Sequence, residues 1–283
     1  MPRLDPKPRR APAIQAHVGA GMRRPLCSLL GLGLLAAVCL RAPEAGARCP
    51  PFDHDHVAWS SVLARTVAGG RVDYAALKAD PAALDSYLAS LSGACRDDYL
   101  TWSRERRIAF WVNAYNAFTV KLIVENYPIA SIRRIGWLPL AAFREKFVPM
   151  PELGGGTLSL DDIENEILRR DFDEARIHFA LVCAAVSCPA LRGEAYRAAD
   201  LDRQLDDQGR VFLNDATKNR FAPAQKRLFL SSIFKWFRGD FEKAAGSIQA
   251  FVAPYFDDTA VRAANVEVEF LDYDWSLNDR PRR

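Results

Sequence analysis

Two stretches of this chain predict an α+β fold in one domain, a small mixed or antiparallel sheet packed by several helices. The first is Glu105–Asn126, ERRIAFWVNAYNAFTVKLIVEN, which leaves almost no polar face between Ile108 and Val120. A helix apolar on all sides is a buried helix. The second is residues 175–191, ARIHFALVCAAVSCPAL, whose apolar run Ile177–Ala185 is interrupted only by His178. A run that short fits a strand covered on both faces. Each needs the other's cover, so a sheet built on Arg176–Cys183 is expected to pack on the helix Ile108–Val124.

The chain opens with a segment read as leader rather than fold. Met22-Arg23-Arg24 precedes an apolar stretch from Leu26 to Leu40, and Ala45-Gly46-Ala47 follows. That is the order of a signal peptide, with cleavage expected after Ala47. Translation is expected to start at Met22, since the residues before it show no periodicity. The 15 apolar residues of 26–40 are short for a membrane span. Residues 48–283 are then one exported domain, periplasmic or extracellular, with no stable span.

The elements follow in order. Residues 56–67 read as a helix stopped by Gly69-Gly70. Residues 71–77 read as a short strand or turn, and 81–91 as a helix with Leu84, Leu88 and Leu91 inward. Tyr127-Pro128 ends the long helix. Residues 147–158 read as two strands about the turn Gly154-Gly155-Gly156, which lacks the Gly-Lys-Ser/Thr of a phosphate loop. Ser159 and Asp162 form a capping arrangement for a helix over 160–170. Asp161, Asp162, Glu164 and Glu166 crowd that helix; most such acids cap or face water, and Glu164 is kept as an additional site candidate. Helices are expected over 200–213, 233–241 and 247–256, and strands over 227–230 and 266–273.

The chemistry-bearing residues gather in the second stretch. Period two puts His178, Ala180 and Val182 on one strand face, and Phe179, Leu181 and Cys183 on the other. Cys188 precedes Pro189, and proline favours the first helical position. Cys188 is therefore expected to cap a short helix, whose dipole would lower its pKa and make it a nucleophile. Cys183 on an apolar face is expected to be plain packing. Asn113 and Asn116 share one face of the buried helix, so their amides must find partners, either loop backbone or a reaction centre.

His54-Asp55-His56 lacks a third ligand and does not share a helix face, so no metal and no cofactor are expected. The leader holds seven of the Lys/Arg and two of the Asp/Glu residues, leaving 31 basic against 33 acidic side chains in residues 48–283. Nothing there is attracted to nucleic acid.

Six blocks, FWVNAYNAFTVKLI, SLDDIENEILR, RIHFALVCAAVSCPAL, the step at Phe212–Asp215, LSSIFKWFRGDF and LDYDWSLN, resemble in order those of the family called domain of unknown function 547. The resemblance runs from about Val72 to Asn278. It places His178, Cys183, Cys188, Asn113 and Asn116 at family positions and implies no established activity. It implies histidine in many members where this chain has Asn165. If that histidine is a general base in the family, His178 would have to serve here. Four cysteines outside the leader, Cys49, Cys95, Cys183 and Cys188, allow three pairings that sequence leaves open. A Cys49–Cys95 bridge is one expectation.

Three functions fit these residues. One is a cysteine-dependent hydrolase or acyl transferase of permuted papain- or transglutaminase-like layout, with Cys188, His178 and Asn113 or Asn116 as nucleophile, base and oxyanion donor. Another is a non-catalytic module that binds a peptide, an amide, a cell-wall fragment or another small molecule. The third is a thiol-redox protein using Cys183 and Cys188, whose C-x4-C spacing departs from that of thioredoxins.

Overall fold

Helix α1 (Val57–Thr66) buries Trp59, Val62 and Leu63, and a two-residue hairpin, β1 (Val67–Ala68) with β2 (Arg71–Val72), turns the chain back. The turn needs Gly70, whose φ is +75° and whose absent Cβ would lie 2.5 Å from the Ala190 Cβ. The computed structural model describes residues 51–138, 140–262 and 266–280. The expected leader, its cleavage site and Cys49 lie outside these residues. Cys95 is disulfide-bonded.

Helices α2 (Tyr74–Ala79), α3 (Ala82–Ser92) and α4 (Arg96–Thr101) lead into α5 (Arg104–Asn126). The Ser103 hydroxyl accepts the Arg106 N–H at 3.3 Å and so serves one free donor of the first turn of α5. Every residue from Ile108 to Val120 is buried, as the all-round apolar pattern predicts. Removing one ring from this helix, such as Phe110, costs about 3–5 kcal/mol. After α6 (Ala141–Arg144), β3 (Val148–Met150) and β4 (Gly156–Leu158) form the expected antiparallel pair.

Ser159 and Asp162 do form a reciprocal cap: the Asp162 N–H donates to Ser159 Oγ at 3.0 Å and the Ser159 N–H to Asp162 Oδ2 at 2.8 Å. The helix they open is a π-helix over Asp162–Arg169. Such wide turns are rare and often sit at functional sites.

Arg176–Cys183 is not a strand. Ile177–Ala180 forms the single helical turn α7, closed by Leu181 N–H to Ile177 O at 2.9 Å. Leu181 is then extended, and residues 181–183 carry no regular structure and join no ladder among the described residues. The run is buried as expected, but a short apolar run does not distinguish a buried turn of helix from a strand.

The largest sheet lies further on, in the order β5 (Arg220–Ala222), β6 (Arg227–Ser231), β7 (Glu267–Leu271), with β6 antiparallel to β5 and parallel to β7. It is the mixed sheet expected, built on other residues. Helix α8 (Leu201–Leu213) precedes it; α9 (Ile233–Trp236), α10 (Arg238–Ala245) and α11 (Ile248–Val252) follow β6. Gly209 lets α8 approach: a Cβ there would meet the Tyr255 ring at 2.8 Å and Phe179 at 3.0 Å. Two apolar clusters result, one around α5 and one around Phe179, Phe212, Phe234 and Phe241. Ile177 and Ala180 of α7 belong to the first and Phe179 to the second, so the candidate site lies where they meet. No helix among the described residues is long and apolar enough to cross a membrane.

Candidate functional site

Asn113 and Asn116 place the site's backbone. The Asn116 amide donates to Ala180 O at 2.9 Å and accepts Val182 N–H at 3.0 Å. The Asn113 amide donates to Tyr196 O at 2.7 Å and accepts Tyr196 N–H at 3.0 Å. Both amides are buried and engaged with backbone, the loop-backbone alternative of the expectation.

The Asn116 clamp delivers the chain to Cys183. Ala184 follows with φ +56°, a left-handed turn that costs a residue with a Cβ about 1–2 kcal/mol. That turn brings Cys188 back beneath Cys183, whose backbone N–H donates to Cys188 Sγ at 2.8 Å. The 183–188 loop is held from outside by the chain end: Val186 N–H donates to Ser276 O at 2.8 Å and Asn278 N–H to Ala184 O at 3.1 Å. The same segment sets Tyr273 Oη 3.1 Å from Cys183 Sγ.

No helix begins at Pro189, so Cys188 is not a helix cap. The chain turns at Val186-Ser187, before Cys188, closed by the Cys188 N–H to Ala185 O at 3.1 Å, and the donor at the sulfur comes from Cys183. Both thiols are free. Burial pushes the Cys188 thiol up, but hydrogen bonds from Cys183 and Tyr273 and the Lys218 charge outweigh it, and the thiol titrates below its ordinary value. Burial and the adjacent Cys188 sulfur push the Cys183 thiol well above its own. Cys188 is the more buried; Cys183 is half-buried. Cys183 packs against the apolar cluster around α5, as expected, and also has Tyr273 and Cys188 as polar neighbours.

His178 does not reach either sulfur by a hydrogen bond. Its Nε2 is 2.7 Å from Asp240 Oδ2 and its Nδ1 is 3.9 Å from Glu164 Oε1, while its ring stacks on Phe237 at 4.0 Å. Burial lowers its pKa against the pull of Asp240. Asp240 is held well below the usual carboxylate range, despite burial, by the two-pronged Arg169 guanidinium and by His178. The expected Cys–His–Asn constellation of a papain-like enzyme is thus not assembled. Asn165 bonds Asp161 and Arg169 and stays within its own helix.

Glu164 is half-buried, with 16% of its side chain exposed, and the loss of solvation raises its carboxyl to about 7. Tyr115 Oη donates to its Oε2 at 3.3 Å. Burial, and after it the Glu164 carboxylate, pushes the Tyr115 phenol well above its ordinary value.

Beside Cys188 a small cavity of about 150 Å³ shares Gly70, Asp215 and Lys218 with a larger cleft of about 660 Å³ that Arg192 and Gln208 also line. The described residues hold no group of three or more His, Cys, Asp or Glu side chains able to take a metal ion. Sequence reasoning missed Tyr273, Asp240, Lys218 and Tyr115. Each is distant in the chain from the cysteines, and only the blocks LDYDWSLN, LSSIFKWFRGDF and FWVNAYNAFTVKLI could have flagged three of them.

No curated protein and no solved structure matches the chain. Residues 99–213, which carry Asn113, Asn116, Glu164, His178 and both free cysteines, match the model of a family described as protein of unknown function, DUF547, and this match supports the family that the sequence blocks resemble.

Proposed function

We propose that the protein is a dithiol–disulfide exchange protein that passes a disulfide from Cys183 and Cys188 to thiol substrates. What carries this reading is the asymmetric thiol pair, with the Cys183 N–H 2.8 Å from Cys188 Sγ. In the oxidised form a substrate thiolate attacks the half-buried Cys183 sulfur. The bond between the two cysteines breaks, and Cys188 leaves as a thiolate stabilised by that N–H. A low-pKa leaving thiol leaves faster and makes a disulfide more oxidising. A second substrate thiol then attacks the substrate sulfur of the mixed disulfide, and Cys183 leaves as a thiol. The substrate departs as a disulfide, two electrons having passed to the cysteines. A low-molecular-weight disulfide reoxidises the pair.

Residues 1–47 carry the signal-like order of charges and apolar residues, and we propose export to an oxidising compartment, where such exchange has a use. The hydrolase reading lacks an imidazole on the sulfur. The binding-module reading has the cleft of about 660 Å³ in its favour; ligand binding that survives Cys183→Ser together with Cys188→Ser would select it.

Glutathione disulfide tests the exchange directly. Cys188→Ser should hold a glutathione adduct on Cys183, because the resolving thiol is gone, while the parent protein should resolve that adduct into a Cys183–Cys188 disulfide. An adduct on Cys188 of the Cys183→Ser protein but none on Cys183 would reverse the assignment and sink the mechanism.

A further inference from the structure

Tyr273 touches the half-buried thiol and is itself one of a cluster of aromatic rings. Its Oη is 3.1 Å from Cys183 Sγ. Its ring lies 4.7 Å from that of Trp275 and 4.8 Å from that of Trp236, and the two indoles stack at 5.8 Å with 25° between their planes. The cluster is fixed relative to the cysteines. The backbone of Asp274, between Tyr273 and Trp275, accepts the Ser187 N–H at 3.2 Å and donates to Ser187 Oγ at 2.9 Å, which ties it to the 183–188 loop. Trp236 ends α9, whose Ile233 and Phe234 are buried. The Arg133 guanidinium covers one face of Trp275 at 5.5 Å. Trp236 is left 43% exposed, and Tyr273 and Trp275 are only half-buried. A lone exposed ring needs no account, but contiguous rings at a reactive sulfur mark a surface that is covered in use.

We infer that the Tyr273–Trp275–Trp236 cluster is the substrate platform of the exchange site, and that the substrate is a polypeptide with an aromatic side chain within two residues of its cysteine. The inference rests on the exchange reading above and names its substrate class. The peptide thiolate attacks Cys183 Sγ, the bond to Cys188 breaks, and the peptide sulfur is held in the mixed disulfide beside Tyr273. An extended chain advances about 3.3 Å per residue. A side chain one or two residues from the bonded cysteine therefore reaches the indoles, which lie one ring beyond Tyr273. There an aromatic side chain gains offset or edge contacts and takes the exposed part of Trp236 out of water. Glutathione reaches the same sulfur but brings no apolar side chain to the rings.

The test compares how fast two cysteine peptides of equal length and charge reduce the oxidised 183–188 pair, one with tryptophan two residues from its cysteine and the other with alanine there. The parent should prefer the tryptophan peptide by about tenfold, Trp236→Ala should narrow the preference to about twofold, and Trp236→Phe, which keeps a ring, should restore most of it. Equal rates for the two peptides in the parent overturn the inference and leave the exchange reading standing. A preference that survives intact in Trp236→Ala overturns it as well. The parent's own ratio decides the matter if Trp236→Ala does not fold. Parent protein that never forms the disulfide, or whose disulfide neither peptide nor glutathione reduces, overturns both readings. A dimer in sedimentation that Trp236→Ala dissolves, in protein without the peptide preference, gives the cluster to a second copy of the chain and overturns the inference.

Discussion

The Asn116 side chain donates to the Ala180 carbonyl at 2.9 Å and accepts the Val182 N–H at 3.0 Å, serving the segment before Cys183 as a neighbouring strand would. Its loss leaves a buried carbonyl and a buried N–H without partners. Asn116→Ala should therefore lower the unfolding free energy by roughly 2–4 kcal/mol, read from urea midpoints. Asn113→Ala strips the same two bonds from Tyr196 and should cost a similar amount, yet leave thiol exchange in the folded protein unchanged. A slowed exchange in Asn113→Ala would mean that it has a part in the site.

Glu164 should make the protein less stable as the solution turns alkaline. Its folded value of about 7 lies above the ordinary 4.5. The stability tied to its neutral form is full below about pH 4.5 and is lost as pH rises through about 7. The loss amounts to about 3 kcal/mol. Glu164→Gln should abolish this dependence and be the more stable protein at pH 8. Parallel stability profiles for parent and variant between pH 5 and 8 would contradict the assigned value.

His56 should act at the other end of the scale. It is buried, bonds Tyr87 Oη through Nδ1 at 2.8 Å, and is lowered by burial from 6.5 to about 4. Because the unfolded chain takes its proton first, stability is full above about pH 6.5 and is lost as pH falls through about 4, by roughly 3 kcal/mol. His56→Asn tolerates the left-handed φ of 49° and should flatten this acid arm while losing the Tyr87 bond. An acid arm of undiminished depth in His56→Asn would assign the effect to other groups.

Much of the fold was legible because burial leaves a period in sequence. The run from Ile108 to Val120 could only be a buried helix, and residues 266–273 alternate as a strand should. Ile177–Ala185 was legible as buried but not as to shape, since four residues satisfy a helical turn or a strand equally and the deciding partner, Asn116, lies far back in the chain. The same distance hid the site. Pro189 announced a helix, but the chain after it takes no regular structure, and the turn lies before it, at residues 184–188, where Ser276 and Asn278 hold the backbone. Asp240 carries no local mark that separates it from a surface acid, and Tyr273 none that places it on a sulfur. The expected amide pair was real, and its partners were backbone.

The central claim is that Cys183 and Cys188 form one reversible redox couple. Protein equilibrated across glutathione ratios, trapped with N-ethylmaleimide and mapped by mass spectrometry measures it directly. The predicted result is a single cooperative transition in which both thiols disappear together into a 183–188 disulfide and return on reduction, with Cys95 unaffected. Thiols at Cys183 and Cys188 that stay reduced at every ratio, in protein that remains folded, would contradict it.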